Sequence, residues 1–242
     1  MDLTMLVVAA ETKRLVMTRY AAPEVIACPY CEQRFLRHVL RSFNSCCQVT
    51  YSDGSATGAL ENVIITESRC TRCQKVTEHV EDLPALRIKS MEPFWRKWFV
   101  KQQYLYLPHA SIDVYFELFD KTDVVQEKRN WAVKAYRSYN QNFLVYGQER
   151  AASDEMKQRY RDMTDFILAH PPASTVEEYK LICADIFRLR GNFLRSNQMY
   201  DTVLAEKFDY IVEQGNRWCD ANNASLMAIQ KQSQLREAKE AV

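Results

Sequence analysis

The chain has 242 residues, of which 47% are hydrophobic, and its 32 Lys and Arg against 31 Asp and Glu give a formal net charge of +1. This length and hydrophobic content exclude a wholly disordered chain and allow a small module followed by a medium-sized domain. The near-zero net charge excludes a global attraction to nucleic acid or to an anionic membrane, so either partner would need a local basic patch.

The first apolar segment, Met5 to Ala10, is stopped by Glu11, Lys13 and Arg14. It is too short for a signal peptide with its usual flanks, so the pattern predicts a strand. No stretch reaches the roughly 18 uninterrupted apolar residues of a membrane span. We therefore predict a compact cytoplasmic protein with no membrane association.

Four of the eight cysteines form two C-x-x-C pairs, Cys28 with Cys31 and Cys70 with Cys73. Each pair places two thiolates on one side of a tight loop, and two pairs supply the tetrahedral sulfur shell that Zn²⁺ accepts. Four protein ligands leave no open position for water or substrate, so such a zinc ion would serve folding. A redox dithiol and buried core cysteines remain the alternatives.

The two pairs are separated by 39 positions, from Cys31 to Cys70, whereas a compact ribbon has roughly 15 to 20. An insert must absorb the excess. Residues 48–51 and 63–66 have strand composition, and residues 51–58 between them have turn composition. The sequence predicts a zinc ribbon whose two knuckles are joined through a β-hairpin.

Other metal-binding residue types lie near the pairs. Cys46 and Cys47 are adjacent, which makes it hard for both to face one ion, so we interpret them as spare thiols, with Cys46 a minor alternative ligand. A redox or metal-sensing switch using them is a weaker hypothesis. His38 and His79 are interpreted as surface or outer-shell residues, because four thiolates already satisfy the ion.

From about residue 90 the sequence changes to long segments with helical periodicity. The fold class predicted is α+β, with a zinc ribbon at 1–89, a helical domain at 90–229 and a charged tail at 230–242. Buried helix faces are expected in four segments, and a capping box at Thr175 with Glu178 starts a fifth helix that Gly191 ends. The four faces comprise Phe94, Trp95, Trp98 and Phe99; Ile112, Tyr115, Phe116 and Phe119; Ala132, Ala135, Tyr136, Tyr139, Phe143 and Tyr146; and Met156, Tyr160, Met163 and Ile167.

Residues 179–204 resemble one tetratricopeptide repeat. Ala184 and Ser196 stand at the small positions that let the two helices of a repeat cross closely, and Phe193 stands at the aromatic start of the second helix. Cys183 and Val203 depart from the usual leucine and alanine. The resemblance implies a helical-hairpin domain whose stacked pairs form a concave surface for a peptide.

The order of parts is similar to an uncharacterised bacterial family of zinc-ribbon proteins with tetratricopeptide-like C-terminal halves. It is carried by the Cys-Pro-x-Cys knuckle at Cys28, the second knuckle at Cys70, and an Arg-x-x-Gly-x-Phe turn from Arg188 to Phe193. Glu32 and Gln74 stand where glycine often follows each knuckle. The resemblance implies this architecture and no particular reaction.

We predict a non-enzymatic scaffold whose helical domain binds a partner protein within a complex. The sequence has no phosphate-binding Gly-x-x-x-x-Gly-Lys loop, no Gly-x-Ser-x-Gly nucleophile elbow and no His-Glu-x-x-His zinc site.

The alternative is a zinc ribbon that binds nucleic acid. If residues 33–42 are helical, their three arginines share one face, and two more arginines flank the second knuckle. Acidic residues in the same module would cancel much of this field. The candidate phosphate contacts are Arg34, Arg37, Arg41, Arg69 and Arg72.

Overall fold

The computed structural model describes residues 19–21, 23–42, 49–53, 56–57, 66–87, 104–145, 152–173, 176–225 and 228–229. It has the α+β fold class, with small β hairpins followed by helices. The chain divides into two compact units that are not two consecutive stretches of sequence. The cysteine unit comprises Met1–Gln48 and Thr57–Ala110, and the helical unit comprises Val49–Ala56 and Ser111–Val242. Within the described ranges, no helix is long and apolar enough to cross a membrane.

The cysteine unit is built from short antiparallel strands. The strands are β1 Arg19–Tyr20, β2 Glu24–Ala27, β3 Arg34–Arg37, β4 Leu40–Ser42, β7 Ser68–Arg69, β8 Val76–Thr77 and β9 Ala85–Arg87. A three-stranded sheet has β2 in the middle, between β3 and β9, while β1 pairs with β4 and β7 pairs with β8. Burial alternates along β2, as expected for a strand with one face on the core.

A small apolar core lies directly beneath the cysteines. Ile26, Phe35, Val80 and Leu107 are buried in one cluster with Cys28 and Cys70. The backbone of residues 105–107 lies along β3, where Leu36 accepts a bond from the Leu107 amide and donates one to Leu105. The first cysteine of each C-x-x-C pair is therefore anchored in this core.

The helical unit contains six α-helices among its described residues. They are α1 Ile112–Lys121, α2 Val125–Tyr139, α3 Asp154–Ala169, α4 Glu177–Leu189, α5 Phe193–Tyr200 and α6 Asp209–Asp220. Most residues of the apolar faces predicted for α1, α2 and α3 are buried, whereas Tyr115, Met156 and Tyr160 are only half-buried. The stripe from Phe94 to Phe99, Thr175 of the proposed capping box and the strand at Met5 lie outside the described residues.

The third predicted helical segment is not one uniform α-helix. After Tyr139 the chain continues as a π-helix, Asn140–Val145. Asn140 is fully buried at this junction, and Phe143 packs against Tyr139 with ring centroids 4.9 Å apart. π-Turns inside helices are rare and occur frequently at functional sites.

The α4–α5 hairpin has the features predicted from the sequence. Gly191, with φ 73°, ends α4 with a Schellman motif, in which Gly191 donates to Arg188 and Asn192 donates to Phe187. The hydroxyl of Ser196 donates to the backbone carbonyl of Ala184 at 2.7 Å, and both residues are fully buried. The two small residues therefore allow the close helix crossing.

Residues 49–56, which we call the arm, belong to the helical unit although they lie between the two cysteine pairs. β5 Val49–Tyr51 lies between β10 Ala228–Ile229 and β6 Ala56–Thr57. The strand predicted at 49–51 is present, but its described neighbours differ from the predicted hairpin partner at 63–66. Of that partner only Thr66 is described, and it is not in a strand.

Candidate metal centre

Two loops of matching geometry carry the four cysteines. In the first knuckle the Cys28 amide donates to Gln33 and the Glu32 amide donates to Cys28, each at 2.9 Å. In the second knuckle the Cys70 amide donates to Lys75 at 3.0 Å and the Gln74 amide donates to Cys70 at 2.9 Å. Each bond in one knuckle has its counterpart 42 positions later in the other. The cysteine unit thus contains the same C-x-x-C turn twice.

The same correspondence extends to the backbone conformation and the flanking strands. Glu32 and Gln74 both have φ 59°, in the left-handed region. The first knuckle joins β2 to β3, with Ala27 opposite Arg34, and the second joins β7 to β8, with Arg69 opposite Val76. The hairpins fix the direction of each loop, so that its two thiols point to the same side.

The four thiol sulfurs converge on one point. All four Sγ atoms lie within 4.8 Å of one another, and the distances between knuckles are 3.7 Å from Cys28 to Cys73 and 3.6 Å from Cys31 to Cys70. None of the four is in a disulfide. A tetrahedral ion with bonds of about 2.3 Å separates its sulfurs by about 3.8 Å, so the two distances between the knuckles are close to those of a tetrahedral thiolate site.

Burial and backbone amides give the thiols different acidities. Burial raises the pKa of Cys28 to about 11, and the backbone amides of its own knuckle offset this only in part. Burial also raises the pKa of Cys70, but the amides of its knuckle and the neighbouring thiols outweigh it and lower the value to about 7. For Cys31 the amide of Gln33 favours the thiolate, yet burial and the opposite thiols raise the pKa. A metal ion would therefore displace protons on binding.

Polar side chains of the second knuckle tie its loop and reach the first. Gln74 donates from its side chain to the Thr71 carbonyl at 2.9 Å, and Arg69 donates to the Gln74 carbonyl at 3.0 Å. The ammonium of Lys75 lies 4.9 Å from the ring centroid of Tyr30, in the first knuckle. These contacts support the loops independently of a metal.

The described histidines are not part of the metal cluster. His38 stacks on Tyr106 with ring centroids 4.2 Å apart, and His79 is an exposed residue with φ 52° before a short 3₁₀ turn. Among the described residues only the four cysteines form a set that could hold a metal ion. Cys46 and Cys47 lie outside the described residues.

The three arginines that were predicted to share a helix face, Arg34, Arg37 and Arg41, lie on strands. Residues 34–37 and 40–42 are strands, so the helix considered for residues 33–42 is wrong. Arg34 and Arg37 are three positions apart on β3 and therefore point to opposite faces. Arg34 is exposed, whereas Arg37 donates to the Glu24 carboxylate and to the Val80 carbonyl, each at 2.7 Å.

Of the other candidates, Arg72 is exposed, Arg69 is half-buried, and Arg41 lies on β4, where side chains are not described. Arg37 links β3 to Glu24 and to the segment around Val80. Of the five candidates, those that the structure describes as exposed are Arg34 and Arg72.

Sequence reasoning missed a buried polar network in the helical unit. Arg188 is fully buried and ion-paired with Asp185 at 2.6 Å, and Tyr136 donates to the other carboxylate oxygen at 2.7 Å. Arg188 also donates to Ser52 at 3.2 Å. The only sequence signal was the position of Arg188 beside the Gly191 turn, which says nothing about partners 136 positions away.

No protein-family model, no curated protein and no solved structure matches this chain.

Proposed function

We propose that this protein is a non-enzymatic scaffold in which a zinc ion stabilises the cysteine unit and the helical unit binds a partner protein. The observation that carries the proposal is the closed set of four thiols, with opposite pairs 3.6 and 3.7 Å apart. Zinc is the metal that all-thiolate tetrahedral sites most commonly hold in structural modules. Cys28, Cys31, Cys70 and Cys73 would each supply one thiolate.

A structural role for the metal follows from the number of ligands. A catalytic zinc site keeps one position for water or substrate, whereas four thiolates fill a tetrahedral shell. The strands that hold the knuckles are two to four residues long, and the apolar core beneath them is small. Such a unit gains much of its folding free energy from the metal.

The helical unit supports the binding role. Its α4–α5 hairpin resembles a tetratricopeptide repeat at the small positions, Ala184 and Ser196. Two large apolar side chains are exposed, Leu194 on α5 at 72% and Leu204, which follows α5, at 81%. Exposed leucines on a helical hairpin are suited to contact a protein partner.

The metal role is tested by elemental analysis of the purified full-length chain. We expect about one zinc per chain, lost in the Cys28→Ser and Cys70→Ser variants together with the fold of the cysteine unit, while helix content is largely kept. Cys183→Ala is the matched control, because this buried cysteine lies outside the cluster. Wild-type protein that holds no metal when prepared without chelator would refute the proposal.

The binding role is tested by purifying the native complex with a tagged chain. We expect a stoichiometric protein partner whose retention falls in a Leu194→Asp, Leu204→Asp variant and is unchanged in Val124→Asp, an exposed valine on another helix end. Equal retention by both variants would contradict binding at this surface.

A reducing compartment such as the cytoplasm is part of the proposal. None of the six described cysteines is in a disulfide, and free thiols persist where disulfides are reduced.

Nucleic-acid binding is the second candidate, supported by Tyr30, which is 54% exposed beside Lys75, and by exposed Arg34 and Arg72. An exposed aromatic ring flanked by cations is the arrangement used on single strands. Affinity for an oligonucleotide should then fall steeply with salt and be lost in Arg34→Ala, Arg72→Ala. Salt-insensitive or absent binding would end this alternative.

A further inference from the structure

The arm enters the helical unit through polar contacts. Of its side chains that the structure describes, the buried ones are Ser52, 4% exposed, and Asp53, fully buried. Asn140 donates from its side-chain amide to the Asp53 carboxylate at 2.8 Å, and Arg137 donates to the Asp53 carbonyl at 3.0 Å. Arg188 donates to the Ser52 hydroxyl at 3.2 Å. A Ser-Asp turn is thus held by three side chains of the helices.

The receiving residues are themselves held in place. Tyr160 donates to the side-chain carbonyl of Asn140 at 3.0 Å, which orients the amide so that its NH₂ group faces Asp53. Asp185 pairs with Arg188 and fixes the guanidinium. Asn140 begins the π-helix, a feature that often marks a functional position. The site therefore presents donors, and it selects an acceptor such as a carboxylate.

Backbone pairing completes the contact. β5 pairs antiparallel with β10, with Thr50 opposite Ile229 and Tyr51 opposite Ala228. Antiparallel backbone pairing combined with specific side-chain contacts is a common way for proteins to bind extended segments. The arm makes both kinds of contact, and the residues before and after it in the sequence belong to the cysteine unit.

We propose that the helical unit carries a recognition site for a short extended segment with a Ser-Asp turn, and that the arm occupies this site in cis. The inference rests on the proposed function, since it specifies the partner of the helical unit as a protein with a segment of the same chemistry. Such a segment would compete with residues 49–56 for Asn140, Arg137 and Arg188.

The first test uses the full chain with residues 49–56 replaced by eight Gly and Ser residues. The probe is a fluorescent peptide of residues 49–56, measured by anisotropy. We expect saturable binding to the replaced chain and weak binding to the intact chain. Binding should be at least about tenfold weaker when the peptide carries Asp53→Ala, because the carboxylate that accepts the charge-assisted hydrogen bond from Asn140 is lost. A replaced chain with intact helices that does not bind the peptide would overturn the proposal.

The second test keeps the proposal falsifiable if the replaced chain fails to fold. In the intact chain, hydrogen exchange of the arm amides is compared with that of α4. We expect the arm to exchange through local opening, faster in Asn140→Asp, where two carboxylates face each other, and restored in Asn140→Asp with Asp53→Asn, which reverses donor and acceptor. If the arm amides exchange only through global unfolding, the arm is a permanent part of the fold, and the proposal is refuted. Metal content and partner retention are measured separately, so failure here is distinguishable from failure of the scaffold role.

Discussion

Glu32 and Gln74 share one left-handed backbone conformation, each with φ 59°, at equivalent positions one residue after the second cysteine of a knuckle. These are the two positions where glycine often follows such a knuckle. A residue with a β-carbon costs about 1–2 kcal/mol in this conformation, whereas glycine adopts it freely. The backbone is therefore strained at the same position of both C-x-x-C turns, because each has a residue with a side chain there.

Replacing either residue by glycine should stabilise the metal-bound cysteine unit. For Glu32→Gly we expect a gain of about 0.5–1 kcal/mol, because relief of strain exceeds the extra entropy that glycine gives the unfolded chain. For Gln74→Gly we expect a smaller gain, because glycine also removes the hydrogen bond that the Gln74 side chain donates to the Thr71 carbonyl. Denaturant unfolding of the zinc-bound protein measures the change. Gln33→Gly is the matched control, since Gln33 is not in the left-handed region, and it should destabilise. A loss of stability in both test variants would contradict the strain argument.

Metal binding should release protons at pH 7.5. The raised pKa values of Cys28 and Cys31 mean that both are thiols in the metal-free protein, while Cys70, with a pKa of about 7, is largely a thiolate. Because the ion binds thiolates, affinity should rise with pH towards these raised pKa values and fall in acid.

Calorimetric titration of zinc in buffers of different ionisation enthalpy measures this proton release. We expect roughly two or more protons per ion, from Cys28 and Cys31. An affinity independent of pH between 6 and 8 would be inconsistent with thiolate ligation.

The Arg188–Asp185 pair should be one of the most sensitive positions of the helical unit. Both side chains are fully buried, so removing one leaves an uncompensated charge in the interior, at a cost of about 3–5 kcal/mol. Arg188→Met should destabilise by about this amount in urea unfolding followed by circular dichroism, and Asp185→Leu should restore part of it. Arg217→Ala, which breaks an exposed pair with Glu213, should cost less than about 1 kcal/mol. Similar losses at the two sites would contradict the burial argument.

Gly215 should not tolerate a β-carbon. A methyl group there would overlap the ring of Tyr200, with Cε1 at 2.8 Å, and Tyr200 is fully buried and cannot move away. We expect Gly215→Ala to destabilise the helical unit by about 1–3 kcal/mol, although alanine normally favours a helix. Combining it with Tyr200→Leu should recover stability. Gly191→Ala is the comparison, because it meets no atom within 4 Å and is penalised through its φ of 73° alone.

The candidate metal centre could be identified almost entirely from the sequence. C-x-x-C spacing is local, and the turn it specifies places two thiols together whatever surrounds it. The helices from Ile112 to Gly191 were similarly predictable, because residues three and four positions apart in the sequence form one face of a helix. The π-helix at Asn140 was not, since its hydrogen-bond shift depends on side chains packed around it.

The arginines of the cysteine unit show where sequence reasoning failed. A spacing of three positions, as from Arg34 to Arg37, is compatible with one face of a helix and also with a strand. A segment this short does not distinguish the helical period of 3.6 residues from the strand period of 2. The pairing of β3 with β2 makes this segment a strand. It also places Arg37 opposite Glu24, to whose carboxylate Arg37 donates a hydrogen bond.

The sequence by itself determined the four cysteines, the helical faces and the close crossing at Ala184 and Ser196, all features that depend on neighbours within one or two turns or one loop. The sequence predicted that the two cysteine pairs share one site, whereas the tertiary structure gives the distances between them, 3.6 and 3.7 Å, and alone decides that the arm belongs to the helical unit. Contacts such as Ser52 with Arg188 join residues 136 positions apart. Which residues make such contacts depends on which buried polar groups can hydrogen-bond to one another in the folded chain. No local sequence pattern contains that information.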